Sequence, residues 1–215
     1  MLRSEEARMS WMDSLKAAAK GAKSVGPDER ARIASDIVMM ASMGAAAVTY
    51  APVPLTDFVL VTPVQASMVM AIGRVSGREL DFDESKHIVV ELASVCGLSL
   101  IAQKGFATLS KIFLPGLGGI LAGPYAFGVT YAMGRVAIGY FEDREHSRET
   151  LRRIFEDALR EGKSLFSLEK LNAFRKKWGK DVDEFARGAA GQSRARKGRG
   201  AHGKKRARGA PPPQE

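Results

Sequence analysis

Cysteine is nearly absent: Cys96, in Ser94-Val95-Cys96-Gly97-Leu98, is the only one in 215 residues. An intrachain disulfide is excluded, and with it a disulfide-stapled scaffold. A reducing compartment fits this usage, with Cys96 read as a small buried hydrophobe. Strand signals are equally scarce. No stretch sustains two-residue alternation between hairpin turns, which argues against sandwiches and barrels. The N-terminus lacks the apolar run of a signal peptide, and Glu5, Glu6 and Asp13 interrupt it, so secretion is not expected. His87, His146 and His202 stand far apart without His or Cys partners at ligand spacing, and they assemble no metal site. No Ser or Cys nucleophile motif is present. Gly162-Lys163-Ser164 matches the end of a phosphate-binding loop, but the required glycine five residues earlier is Asp157. A helical pattern rather than a strand also precedes it. These absences leave no catalytic residue, cofactor or small-molecule substrate to assign, and the expectation is a protein that is not an enzyme.

Acid is missing from one segment. From Arg187 to Arg208 there are nine basic residues and no acid, whereas residues 1–186 carry 24 basic and 23 acidic side chains. The net charge of +9 therefore belongs to the C-terminal tail and not to the body. The tail cations are Arg187, Arg194, Arg196, Lys197, Arg199, Lys204, Lys205, Arg206 and Arg208. With almost nothing to bury, residues 188–215 are predicted to be disordered. They read as a solubilising extension, or as a segment suited to anionic lipid headgroups or to nonspecific binding of nucleic acid through its phosphates. No aromatic lies among these cations, so base stacking is unsupported.

What is abundant is helix. Residues 1–26 hold an amphipathic helix over 2–23, with Leu2, Met9, Met12, Leu15, Ala19 and Ala22 on its apolar side. Gly26-Pro27-Asp28 reads as a stop and a new start. Apolar residues then run nearly all round from Ile33 to Val48, break at Pro52-Val53-Pro54, and resume from Leu55 to Val75. Asp83-Glu84 opens a helix predicted to reach toward Leu109, and after Pro115-Gly116 a last apolar segment runs to Phe141. Two amphipathic helices follow over 144–187. The first has Leu151, Ile154, Phe155, Ala158 and Leu159 inward and Gly162 as its C-cap. Ser167 caps the second, with Leu168, Leu171, Phe174, Trp178, Val182 and Phe185 inward.

The apolar region, residues 27–143, contains a repeat. At an offset of 61, Gly73-Arg74-Val75 falls on Gly134-Arg135-Val136, Pro54 on Pro115 and Pro63 on Pro124. Ten of the forty aligned pairs 37–76 and 98–137 are identical, against roughly three or four expected from composition. Each unit, about 33–76 and 94–137, reads as helix, proline break, helix. Thr62-Pro63 and Gly123-Pro124 mark either a helix start or a kink. Two such hairpins make a four-helix core. The fold class is therefore all-α: duplicated apolar hairpins, flanking amphipathic helices and a basic tail.

Ile112 to Met133 has no charge over 22 residues, long enough to cross a bilayer. Glycines within it, such as Gly119 and Gly123, suit close helix packing in a membrane or outside one. If the hairpins crossed, Arg74, Arg78, Lys86 and the tail would share one side, in agreement with the positive-inside tendency. Shallow association of a cytosolic bundle with a membrane is the alternative, and a pore or transporter subunit is a third reading.

Order and spacing of several short motifs carry a resemblance. They are Pro52-Val53-Pro54-Leu55-Thr56-Asp57 with Gln65 and Met68; Leu114-Pro115-Gly116-Leu117-Gly118; Thr130-Tyr131-Ala132-Met133-Gly134-Arg135; and Tyr140-Phe141-Glu142. The stretch from Ile33 to Phe141 resembles domain-of-unknown-function family 697, a helical domain found C-terminal to small Era-like GTPase domains and in YcjF-like bacterial inner-membrane proteins. The residues singled out are Pro52, Pro54, Asp57, Gln65, Gly73, Arg74, Pro115, Gly116, Gly118, Thr130, Gly134 and Arg135. The resemblance implies an accessory domain tied to a membrane, to GTPases, or to both, at the cytoplasmic face of a bacterial inner membrane or in the cytoplasm. This chain holds no GTPase domain, so a small GTPase would be a separate partner. The family supplies no catalytic residues.

Overall fold

A computed structural model describes residues 10–51, 61–97, 118–142 and 147–207, with backbone alone at 23, 118–121, 190 and from 192 on. Among these residues there are seven α-helices and no strand.

Local chemistry sets most helix ends. Helix α1 (Trp11–Gly21) is capped by Ser10, whose Oγ accepts from the Asp13 amide at 3.2 Å, satisfying one of its orphan donors. A short 3-10 turn (Ala22–Ser24) leads to α2 (Pro27–Val48), with Pro27 in its first turn and Asp28 and Glu29 against the positive end of its dipole. Helix α3 (Val61–Val75) closes through Gly77, whose φ of +80° suits a residue without a Cβ. Asp81 and Glu84 start α4 (Phe82–Val95) with a reciprocal capping box, both bonds at 2.8 Å. Helix α5 (Gly118–Glu142) is the most apolar element, and Ser147 caps α6 (Arg148–Leu165). Only Phe166 and Ser167 separate α6 from α7 (Leu168–Ala207).

One continuous core runs from Trp11 to Ala186. Helix α5 is its axis, as expected of a helix apolar on nearly every side. Antiparallel α2 crosses it, with Val38 against Gly134 and Tyr50 against Gly123. Helix α3 lies parallel to it: Gln65 meets Thr130, and Gly73 meets Phe141. Antiparallel α6 covers another side, with Ile154 at Gly139 and Leu159 at Gly128. Helix α1 packs on α2 and α3, α4 mainly on α3, and α7 on α2.

Several elements differ from the sequence expectation. Helix α4 stops at Val95, because Cys96 and Gly97 turn the chain and Gly97 takes φ +70°. Pro124 neither starts nor ends a helix: it sits inside α5. Gly162 is not a C-cap but lies within α6, buried against Tyr131 and Gly128. Trp11, outside the expected apolar side of the first helix, is fully buried, while Met12 is only partly so. Leu168, expected inward, is exposed. The α7 backbone runs to Ala207, and the glycines at 188, 191, 198, 200 and 203 make that end its weakest part. Residues 98–117, which hold most of the first half of the second repeat unit, lie outside the described residues.

Candidate functional site

The two Gly-Arg-Val triads occupy like positions on their helices. Gly73 and Gly134 are contact points, Val75 and Val136 are buried, and both arginines point away from the core. A Cβ on Gly134 would come within 2.6 and 2.7 Å of the two Val38 methyls and 3.0 Å of Met68 Sδ. A Cβ on Gly73 would meet Leu80 Cδ1 at 2.6 Å and Phe141 Cζ at 3.5 Å. The glycines thus set how closely α2, α3 and α5 approach.

Between the triads and the other end of the bundle lies a buried polar pair. Gln65 Nε2 donates to Thr130 Oγ1 at 3.4 Å, joining α3 to α5 across 65 residues of sequence. The bond is long, so its value is mainly to leave neither group unpaired. Tyr131, next to Thr130, has its phenol pKa pushed up by burial and then by the Glu161 carboxylate of α6, with Arg135 opposing. These contacts hold helices together and place no nucleophile beside a base.

Arg74 lines an open concavity. About 520 Å³ in volume, it lies where α1, α3 and the start of α4 meet. Lys20 and Arg74 face Glu79, Asp81 and Glu84 across it, with Ala19 and Leu80 as its apolar floor. Asp81 and Glu84 are committed to the capping box. What remains is a notch of mixed charge over an apolar floor. No three His, Cys, Asp or Glu side chains gather to hold a metal among the described residues.

Gly162-Lys163-Ser164 ends α6. Gly162 has the Gly128 Cα 3.2 Å from where its own Cβ would stand, so the fragment is a helix contact and not a phosphate-cradling loop. Cys96 is buried, and desolvation raises its thiol pKa to about 11, with Arg152 opposing.

Of the residues singled out in sequence, the structure brings Gln65 and Thr130 together and puts Gly134 beside Met68. It keeps Arg74 and Arg135 apart on separate helices. Gly118 is the first residue of α5. Pro52, Pro54, Asp57, Pro115 and Gly116 lie outside the described residues. Arg194, Arg196, Lys197, Arg199, Lys204, Lys205 and Arg206 lie on the α7 backbone, and Arg208 lies outside. Sequence reasoning missed Trp11 and Tyr50. Trp11 shares an i, i+4, i+8 stripe with Leu15 and Ala19, a signal that could have found it.

The order of these helices and motifs agrees with a known family: residues 14–164 match the domain of unknown function DUF697. The chain belongs to the DUF697 family. The match takes in α1 to α6 and ends before α7, so the DUF697 region and the basic helix are consecutive parts of the chain. No curated protein and no solved structure matches the chain. Within the DUF697 region one helix, α2, is long and apolar enough to cross a membrane among the described residues, and 61% of its apolar stretch is buried inside the bundle. A core helix passes the same test.

Proposed function

We propose that this DUF697 protein is a non-enzymatic helical accessory protein that works at a membrane, with a separate small GTPase as partner. The observation that carries the reading is the family match over residues 14–164, joined to a fold in which the buried Gln65–Thr130 pair ties two helices together. The mixed-charge notch around Arg74 supports a polar partner surface, and the apolar α2 supports a membrane setting. The GTPase rests on the family resemblance alone. Fractionation of cells expressing the full chain tests the membrane part. Recovery with membranes, released by detergent and not by high salt, is expected; recovery wholly in the soluble fraction overturns it.

A second reading is favoured by one observation, the concentration of cations outside the family region. In it the chain is a soluble helical protein whose basic segment binds nucleic acid. Deleting residues 188–215 then abolishes a salt-sensitive gel shift, and an unchanged shift refutes it.

A further inference from the structure

Three buried side-chain polar atoms have no hydrogen-bond partner among the described residues: Trp11 Nε1, Tyr50 Oη and Asp183 Oδ1. Trp11 and Asp183 belong to the seam where α7 meets α1 and α2, whereas the Tyr50 hydroxyl stands against Gly123 of α5 and only the Tyr50 backbone reaches α7. Trp11 stands edge-on to Phe174 and Phe185 of α7, with centroids 6.1 and 6.0 Å away, and lies over Gly44 of α2. The Tyr50 carbonyl accepts from Arg175 Nη1 at 3.2 Å. Arg175 also reaches Asp183, Nη2 to Oδ1 at 3.7 Å, within ion-pair range but beyond hydrogen-bond reach.

Elsewhere the buried hydroxyls and amides are paired, as Ser42 Oγ is with the Val38 carbonyl at 2.6 Å and Gln65 with Thr130. Two of the three unpaired atoms thus belong to the seam of α7. Opening that seam restores water to both, which lowers the resistance to it.

Two further observations point the same way. The family region covers residues 14–164, so both α7 and Trp11, which packs on it, lie outside that region. Helix α7 is also a rod of roughly 60 Å, and only its first half is seated: Leu171, Val182 and Ala186 are buried, while Gly188 and Gly191 face open space.

We propose that the groove between α1 and α2 is a helix-docking surface and that α7 is its releasable occupant, opening as a unit from a body that stays folded. What the groove recognises is read from α7 itself: an amphipathic helix with aromatic residues at the spacing of Phe174, Trp178 and Phe185. A cation near the first of them reaches the carbonyl at the end of α2. The long free half of α7 is the handle through which a partner would lift it.

Amide hydrogen exchange of the full chain, read by mass spectrometry, tests this. Peptides from 168–186 are expected to exchange at least tenfold faster than peptides from α2 and α5. Equal rates in the three helices mean that α7 opens only with the whole fold, and they overturn the proposal. Two variants test the cause. An ion pair at 3.7 Å between partly exposed side chains contributes less than a buried unpaired oxygen costs. Asp183→Leu is therefore expected to slow exchange in 168–186 roughly fivefold or more, leaving α2 unchanged; faster or unaltered exchange refutes the role given to the unpaired atoms. Arg175→Met removes the bond to Tyr50 and is expected to speed α7 exchange severalfold. An equal rise in α2 and α5 would show that α7 is not an independent unit.

Discussion

Replacing Gly134 by alanine tests the central packing claim, because two effects of opposite sign compete there. Helix propensity favours alanine in a helix interior by about 1 kcal/mol. Against this, the new methyl would stand 2.6 and 2.7 Å from Val38 Cγ2 and Cγ1, where carbon atoms pack best at roughly 3.5–4.0 Å. Met68 Sδ, at 3.0 Å, ends a flexible side chain and can swing aside. Val38 cannot: both its methyls face the glycine, and its side chain is fully buried with a stiff χ1. Relief requires α2 and α5 to separate by about 1 Å, and overpacking of that kind costs typically 1–3 kcal/mol and occasionally more. The expected net is a loss of up to about 2 kcal/mol, or up to roughly 8 °C in Tm. The signature is a reversal of sign. In a Val38→Ala background the obstructing methyls are gone, so Gly134→Ala is expected to stabilise by about 0.5–1 kcal/mol. Urea titration of the four proteins by circular dichroism measures this cycle. If Gly134→Ala stabilises the parent, or destabilises both backgrounds equally, Val38 is not what excludes a side chain at 134.

The Cys96 thiol, raised by burial to about 11 from an ordinary 9.0, is expected to alkylate about 100-fold more slowly in the folded chain than in urea at pH 8, since only the thiolate reacts; comparable rates would contradict its burial. Tyr50, Tyr125 and Tyr131 are shifted up as well, in each case first by desolvation. An acid whose folded pKa is raised loses its proton first in the unfolded chain. These groups therefore leave stability flat through neutral pH and lower it as pH rises past about 9. Thermal unfolding from pH 7 to 11 checks the direction, and a melting temperature that rises above pH 9 would refute it.

The helices were legible because their signals act over a few residues. Ser10, Pro27, Asp81 and Ser147 mark helix starts through bonds or ring geometry within one turn, and the stripe from Leu151 to Ala158 repeats at helical spacing. The same local rules misread Gly162 and left Pro124 open between a helix start and a kink. A glycine near the end of an amphipathic run looks like a cap, and a proline after glycine looks like a start. In the structure Gly162 is where α6 touches α5, and Pro124 sits inside a helix under Tyr50's contact with Gly123. The mixed-charge notch at Arg74 was invisible for a related reason: its walls come from three elements.

By itself the sequence determined an all-α chain with a nearly neutral body, cations gathered at the C-terminus and no recognisable catalytic motif. Charge, composition and capping are properties of residues and their near neighbours, so no tertiary knowledge was needed. Only the tertiary structure decided which glycines are contacts, that Trp11 lies between α2 and α7, and that Trp11 and Asp183, each with an unpaired polar atom, share that seam. Those facts depend on partners distant in sequence, 65 residues for Gln65 and Thr130 and 125 for Tyr50 and Arg175. No local pattern specifies which distant surface will be met, because apolar helix faces are interchangeable until shape and close approach select among them.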